Sequence, residues 1–272
     1  MASISCRCLT FALLTASVRA ARIGLHSAAE QGQLEPLKVA INGRWDPYNE
    51  VQKKPDINGQ NKKGRVALHL AACNARGDIE IVKLLLGKGA DANARNATGH
   101  TALMTVAGGC DTQLEGGRPR YVAVAKWLTK HGASVDLVGP DDGRTALHIA
   151  ASSGVALQLL EYIAERSAWV DAPDTTGATA LHFAVRAGHA REAHALLQAG
   201  ADPDVADAAG LRASDALTGK KDSTSDRMRN DLLSAASIHS KHLEAQNRAK
   251  AEKAAAKAAA NNQVSGSAKA EL

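Results

Sequence analysis

Gly177–Asp204 reads GATALHFAVRAGHAREAHALLQAGADPD: a glycine, a Thr-Ala-Leu-His corner, two short helical stretches and a Gly-Ala-Asp ending. Most of the chain before it is an altered copy of this unit. Thr145–His148 repeats the TALH corner, Val66–His69 reads VALH, Thr101–Met104 reads TALM, and Leu25 with His26 opens the first copy. Between the two TALH corners the shift is about 33 residues. The endings keep step at Ile57-Asn58, Gly89-Ala-Asp-Ala-Asn93, Gly132-Ala-Ser-Val-Asp136, Ala168-Trp-Val-Asp171 and Gly200-Ala-Asp-Pro-Asp204. Gly210, followed by LRASDAL, begins a degraded sixth copy.

A pair of short helices cannot bury its apolar stripe alone, so the copies must stack, and the chain forms one elongated array. Hydrophobic residues make up 45% and aromatics only 3%, which leaves Ala, Leu, Val and Ile to build thin helices in close rows. In copy two, Ile81, Val82, Leu84 and Leu85 fall at helical spacing and predict a buried face. Trp127 and Tyr162 take the aligned place of Leu84 and read as core. Trp169 stands at the Asp position of its ending and reads as partly exposed. From about Thr224, the spacing of Met228, Leu232, Ala235 and His239 predicts a long helix lying against the last repeat. RAKAEKAAAKAAA beyond it has the composition of a helical spacer.

Several TALH corners in register with GAD endings resemble the ankyrin repeat, over roughly Arg22 to Ile238. The resemblance implies an all-α fold of helix-turn-helix units carrying β-hairpin fingers. They would stack into a solenoid of about five to six repeats with a long C-terminal helix. The expected organisation is an N-terminal arm at 1–21, a repeat domain at 22–240 and an Ala/Lys-rich helix and tail at 241–272. Insertions at 42–55 (NGRWDPYNEVQKKP) and 108–121 (GGCDTQLEGGRPRY) interrupt copies one and three, and such insertions map to loops, often on the binding face. The resemblance also implies that the corner histidines His26, His69, His148 and His182 bond the Thr of their own motif and neighbouring backbone. They would then bind no metal and relay no proton. His189 and His194 are expected to meet solvent. Asn58 and Asn93 sit where hydroxylating enzymes act on some members of the family.

No phosphate loop, dinucleotide fingerprint, zinc-protease motif or nucleophile elbow occurs, and the Asp141-Asp142 pair lies in a turn, VGPDDGRT. Neither catalysis nor a cofactor, metal or small-molecule substrate is expected. Cys6, Cys8, Cys73 and Cys110 form no paired CxxC set and read as reduced thiols of an intracellular protein. No apolar run approaches the ~20 residues that cross a bilayer. Before Glu30 there is no acidic residue, while Arg7, Arg19 and Arg22 punctuate a Ser/Thr/Ala/Leu segment. It fits a mitochondrial transit peptide, a short secretory apolar core or a capping helix. A cytoplasmic location, with a mitochondrial one as the alternative, is the expectation.

The formal net charge of +5 hides a gradient, from Lys62, Lys63, Arg65 and Arg95 in the early fingers to Asp141, Asp142 and Asp174 in the later ones. Such a bipolar groove favours a partner of matching polarity. Aromatics and Arg dominate interface energetics, so Trp45, Tyr48, Arg118, Arg120, Tyr121 and Trp169 join those seven as candidate contacts. The expected function is a non-catalytic scaffold or adaptor for a protein partner. A structural subunit of a large assembly is the alternative. Nucleic-acid association through the basic tail ranks last, because the tail lacks aromatics and mixes in Glu244 and Glu252.

Overall fold

The computed structural model describes residues 24–42, 56–73, 79–110, 118–154, 157–217, 223–234 and 236–237. Residues 1–21, most of the first insertion (with Trp45 and Tyr48), residues 111–117 of the second, the Asn74–Gly77 turn and the Ala/Lys tail lie outside these.

Each copy contributes two helices. They are α1 (Leu25–Glu30) and α2 (Leu34–Asn42), α3 (Ala67–Ala72) and α4 (Ile79–Gly87), α5 (Ala102–Ala107) and α6 (Arg118–Lys130), α7 (Ala146–Ser153) and α8 (Leu157–Ala164), and α9 (Ala180–Ala187) and α10 (Ala190–Gln198). A 3₁₀ turn at Ala213–Leu217 stands where a sixth first helix belongs. The first helices stack in one row, from α1 on α3 through to α9 on the 3₁₀ turn, and the second helices in another, from α2 to α10. Between the rows lies a continuous core of Ala, Leu, Val and Ile. The helix at 223–234 seals the end, with Met228 and Leu232 buried and the Arg229 guanidinium donating to the Leu217 carbonyl.

The fingers between copies are shaped by one Asx residue each. Asn61, Asn96, Asp174 and Asp207 accept from the amides two and four residues on, which closes a tight turn without a long ladder. Single bridges, Gln60 with Val66, Arg95 with Thr101 and Ala206 with Arg212, are all the β pairing among the described residues. Successive fingers then hydrogen-bond tip to tip: Ala97 N–H to Gly64 O, Thr175 to Asp142, Ala208 to Thr176. Gly177 sits in this contact at φ +75°, and a Cβ there would stand 2.7 Å from the Ala208 nitrogen.

The corner histidine joins each copy to the next. At His148, Nδ1 accepts from the Thr145 amide at 3.1 Å and lies 2.9 Å from its hydroxyl, while Nε2 reaches the Ala178 carbonyl at 3.1 Å. A backbone N–H can only donate, so Nδ1 is the acceptor and the proton sits on Nε2. His182 repeats the arrangement with Thr179 and Leu211 O. His26 reaches Gly59 O and His69 reaches His100 O, both at 2.8 Å. A second ladder runs along the endings, where Asn58 accepts from Asp91 N, Asn93 from Ser134 N, Asp136 from Ala168 N and Asp171 from Asp202 N.

The structure revises several expectations. Cys73 and Cys110 are not reduced thiols but a disulfide, with Cα atoms 5.4 Å apart. The stacking of α3 on α5 brings together two inner-helix ends that are 37 residues apart in sequence. The second insertion ends earlier than expected, because Arg118–Tyr121 already belong to α6. His189 does not simply meet solvent: its Nδ1 bonds the Ala151 carbonyl one copy back. Trp127 and Leu84 are only partly buried, whereas Tyr162 is buried with its hydroxyl 2.6 Å from that of Thr129.

Two substitutions test this construction. Gly177→Ala forces a left-handed residue and displaces the Ala208 contact, so chemical denaturation should show a loss of about 1–3 kcal/mol. Val66 stands where Thr145 and Thr179 bond their histidines, and His69 Nδ1 has no partner. Val66→Thr, nearly isosteric, should raise stability by about 1 kcal/mol, while a loss would show that the site does not admit the hydroxyl.

Candidate functional site on the concave face

Fingers and the open edges of the first helices line the same side of the array. Over copies one to three they enclose a groove of about 650 Å³. Glu30 closes one end from α1, and Lys63 and Arg65 come from the second finger. His69, Leu70 and Cys73 come from α3, Asn96 to Thr98 and His100 from the third finger, and Thr105 and Cys110 from α5 and its end. The disulfide thus forms part of the wall. Repetition puts these residues together, since the same two stations, finger tip and inner-helix end, recur in every copy.

The groove combines cationic rims with a buried neutral imidazole. Burial pushes the His69 imidazole below its ordinary range, against the raising effect of the His100 carbonyl, and Arg65 and His100 push it further down. His148 is lowered in the same way by burial, against the bond to Ala178. Lys62 and Lys63 are exposed at the tip of the second finger. Among the described residues no three His, Cys, Asp or Glu side chains are grouped to hold a metal ion.

The other candidate contacts divide by what their side chains do. Arg95 is exposed, but its guanidinium donates to Gly99 O at 2.7 Å and to Val138 O at 3.0 Å, tying finger three to finger four. Asp142 accepts from the Arg144 amide, and Asp141 is exposed beside it. Asp174 is a correction. Its side chain is buried and accepts from the Thr176 amide and hydroxyl and the Ala178 amide, so it shapes a turn and offers nothing to a partner. Burial works to raise that carboxyl, yet these bonds and His148 hold it below the usual carboxylate range. Tyr121 is a second correction: it is buried and donates to Gly109 O at 3.1 Å, anchoring the insertion to the core. Arg118 and Arg120 lie in the first turn of α6. Trp169 is 67% exposed, on a turn pinned by Ser167 and Asp136.

The expected bipolar groove is therefore weaker at its acidic end. Asp136, Asp171, Asp174 and Asp207 spend their carboxylates on backbone donors, and Asp204 lies 3.1 Å from Arg212. Asn58 and Asn93 likewise have their side chains in the ladder between copies. Reading sequence missed the disulfide, His100 and Thr105 as groove residues. The signal for the first was the placement of Cys73 and Cys110 at the ends of two successive first helices.

A family profile described as "Ankyrin repeats (3 copies)" matches residues 25–115 and 118–207. The chain belongs to the ankyrin-repeat family. Relatives include the human ankyrin repeat and SOCS box protein 16, 36% identical over 193 residues, 64% of this chain and 40% of that one. Another is the putative palmitoyltransferase ZDHHC13 of Danio rerio, 31% identical over 204 residues, 65% and 30% of the two chains. The ankyrin repeat and KH domain-containing protein mask-1 of Caenorhabditis elegans is 34% identical over 139 residues, 51% of this chain and 5% of its own. The chain thus spans well under half the length of these relatives. Among solved structures, a chain from the complex of the predatory endopeptidase Bd0816 of Bdellovibrio bacteriovorus with the immunity protein Bd3460 matches with a TM-score of 0.55 and 29% identity. The match covers 79% of this chain and 97% of that one. Ankyrin repeats mediate protein–protein interaction, and no helix among the described residues is long and apolar enough to cross a membrane.

The buried imidazoles give a pH signature. A histidine held below its unfolded value is neutral in the fold, so the unfolded chain takes up the proton first. Stability is full above about pH 6.5 and falls as pH drops, by up to about 1.4 kcal/mol per pH unit for each of His69 and His148. Asp174, also held below its unfolded value, acts in the same direction at lower pH, and its contribution is lost only as pH falls below about 4. Denaturation midpoints from pH 8 to 5 should show the first loss, and a flat profile would contradict it.

Proposed function

We propose that the protein is a non-catalytic protein-binding scaffold that holds an acidic segment of its partner across the concave groove of copies one to three. The observation that carries this reading is the groove itself, about 650 Å³, rimmed by Lys63 and Arg65 and floored by neutral side chains. Charge complementarity at such a rim raises encounter rate and selects partners more than it adds affinity. Asp174 and Asp207 of the later fingers are occupied in turns, while Lys62 and Lys63 are the exposed basic feature of finger two. The first insertion and the exposed Trp169 extend the contact on this reading. Membership in a family of interaction modules supports it, and so does a structural neighbour taken from a protein complex.

The test is capture from native cells with a tagged chain, followed by titration of the recovered partner against Lys62→Glu/Lys63→Glu. Both side chains lie at the surface, so the fold should be kept. The expected outcome is a loss of about tenfold or more in association rate at low salt, shrinking as salt rises. Unchanged binding by the double variant would place the partner elsewhere. Recovery of many subunits of one large particle, with or without the lysines, would favour the structural-subunit reading.

A further inference from the structure

We propose that Cys73 and Cys110 are a thiol–disulfide exchange site in the wall of the concave groove, opened by an external dithiol. Both residues are half-buried and both line the cavity, so the bond lies where a reagent in the groove meets it. The pair joins the ends of α3 and α5, in neighbouring copies, and so acts as a clasp between them. Cys110 is the one non-glycine residue with positive φ among the described residues, at +50°. A left-handed conformation is unfavourable for a side-chain-bearing residue unless its surroundings impose it, and here the crosslink acts together with the bond from the Cys110 amide to the Thr105 carbonyl. Lys63 and Arg65 line the same cavity, and neighbouring cations favour the thiolate that must leave when the bond opens.

The exchange balances with a dithiol as reductant. Its first thiolate attacks one of the two sulfurs, forming a mixed disulfide and expelling the other cysteine as a thiolate, which takes up a proton. The second thiol of the reductant, as thiolate, then displaces the remaining cysteine and leaves as the cyclic or paired disulfide. Two electrons pass to the chain, and Cys73 and Cys110 become thiols. Breaking the clasp leaves the junction of α3 with α5 to packing, to the His69–His100 bond and to the Ala97–Gly64 bond between fingers. Any consequence for partner binding rests on the docking reading above, whereas the exchange itself does not.

The experiment uses the full chain, purified without reductant, with dithiothreitol as the probe and no partner present. Peptide-level alkylation is read alongside hydrogen exchange. The expected result is no adduct on Cys73 or Cys110 before reductant, and both modified under native conditions after it, at a rate rising with dithiothreitol concentration. Exchange should then increase several-fold in residues 67–73 and 101–110 and stay unchanged in 145–198. The Cys73→Ser/Cys110→Ser variant should show the faster exchange at all times. Adducts before reductant would overturn the proposal. So would a bond that opens only in denaturant, or exchange that does not respond to reduction.

Discussion

The hydrogen bond from a corner imidazole to the carbonyl of the next finger is the contact on which the array depends. It works only with the proton on Nε2, and the Thr amide that Nδ1 accepts fixes that choice at His148 and His182. One neutral side chain thereby sets the start of its own helix and the height of the following finger. The carboxylates and amides of the endings form a second ladder from copy to copy. Packing of Ala and Leu supplies the bulk of the driving force, but it is these directional bonds that hold the copies in register.

Where the pattern is broken, the chain substitutes other links. Met104 replaces a corner histidine, and its sulfur accepts from the Thr101 amide without reaching the next finger. The junction between copies three and four is carried instead by Arg95 to Val138 O and Ser153 to Ala107 O. Copy two keeps its histidine but loses the threonine, and there the disulfide adds a covalent tie. Copies two and three also supply most of the lining of the groove.

Much of this was legible in the sequence because the repeat is local and periodic. TALH corners and GAD endings place ten helices and a degraded cap before any long-range contact is known. The exceptions lie where one residue type serves two roles. Asp141 and Asp174 read alike as finger carboxylates, yet one is exposed and the other is consumed by amides of its own turn. Tyr121 reads as a loop aromatic because the helix start at Arg118 is hidden in a Gly-rich run. Trp127 aligns with Leu84, and that position is itself only partly buried, covered by Lys83 and Lys130 lying over the indole at 4.9 and 4.8 Å. The disulfide needed the stacking of two helices, which no cysteine spacing states.

The most direct measurement of the central claim is native-state hydrogen exchange, segment by segment, on His148→Ala compared with the unchanged chain. The account predicts faster exchange on both sides of the lost bond, in residues 139–153 and 174–187, with residues 24–42 unaffected. Equal exchange throughout the two proteins would contradict it, because the imidazole would then hold nothing that the packing does not already hold.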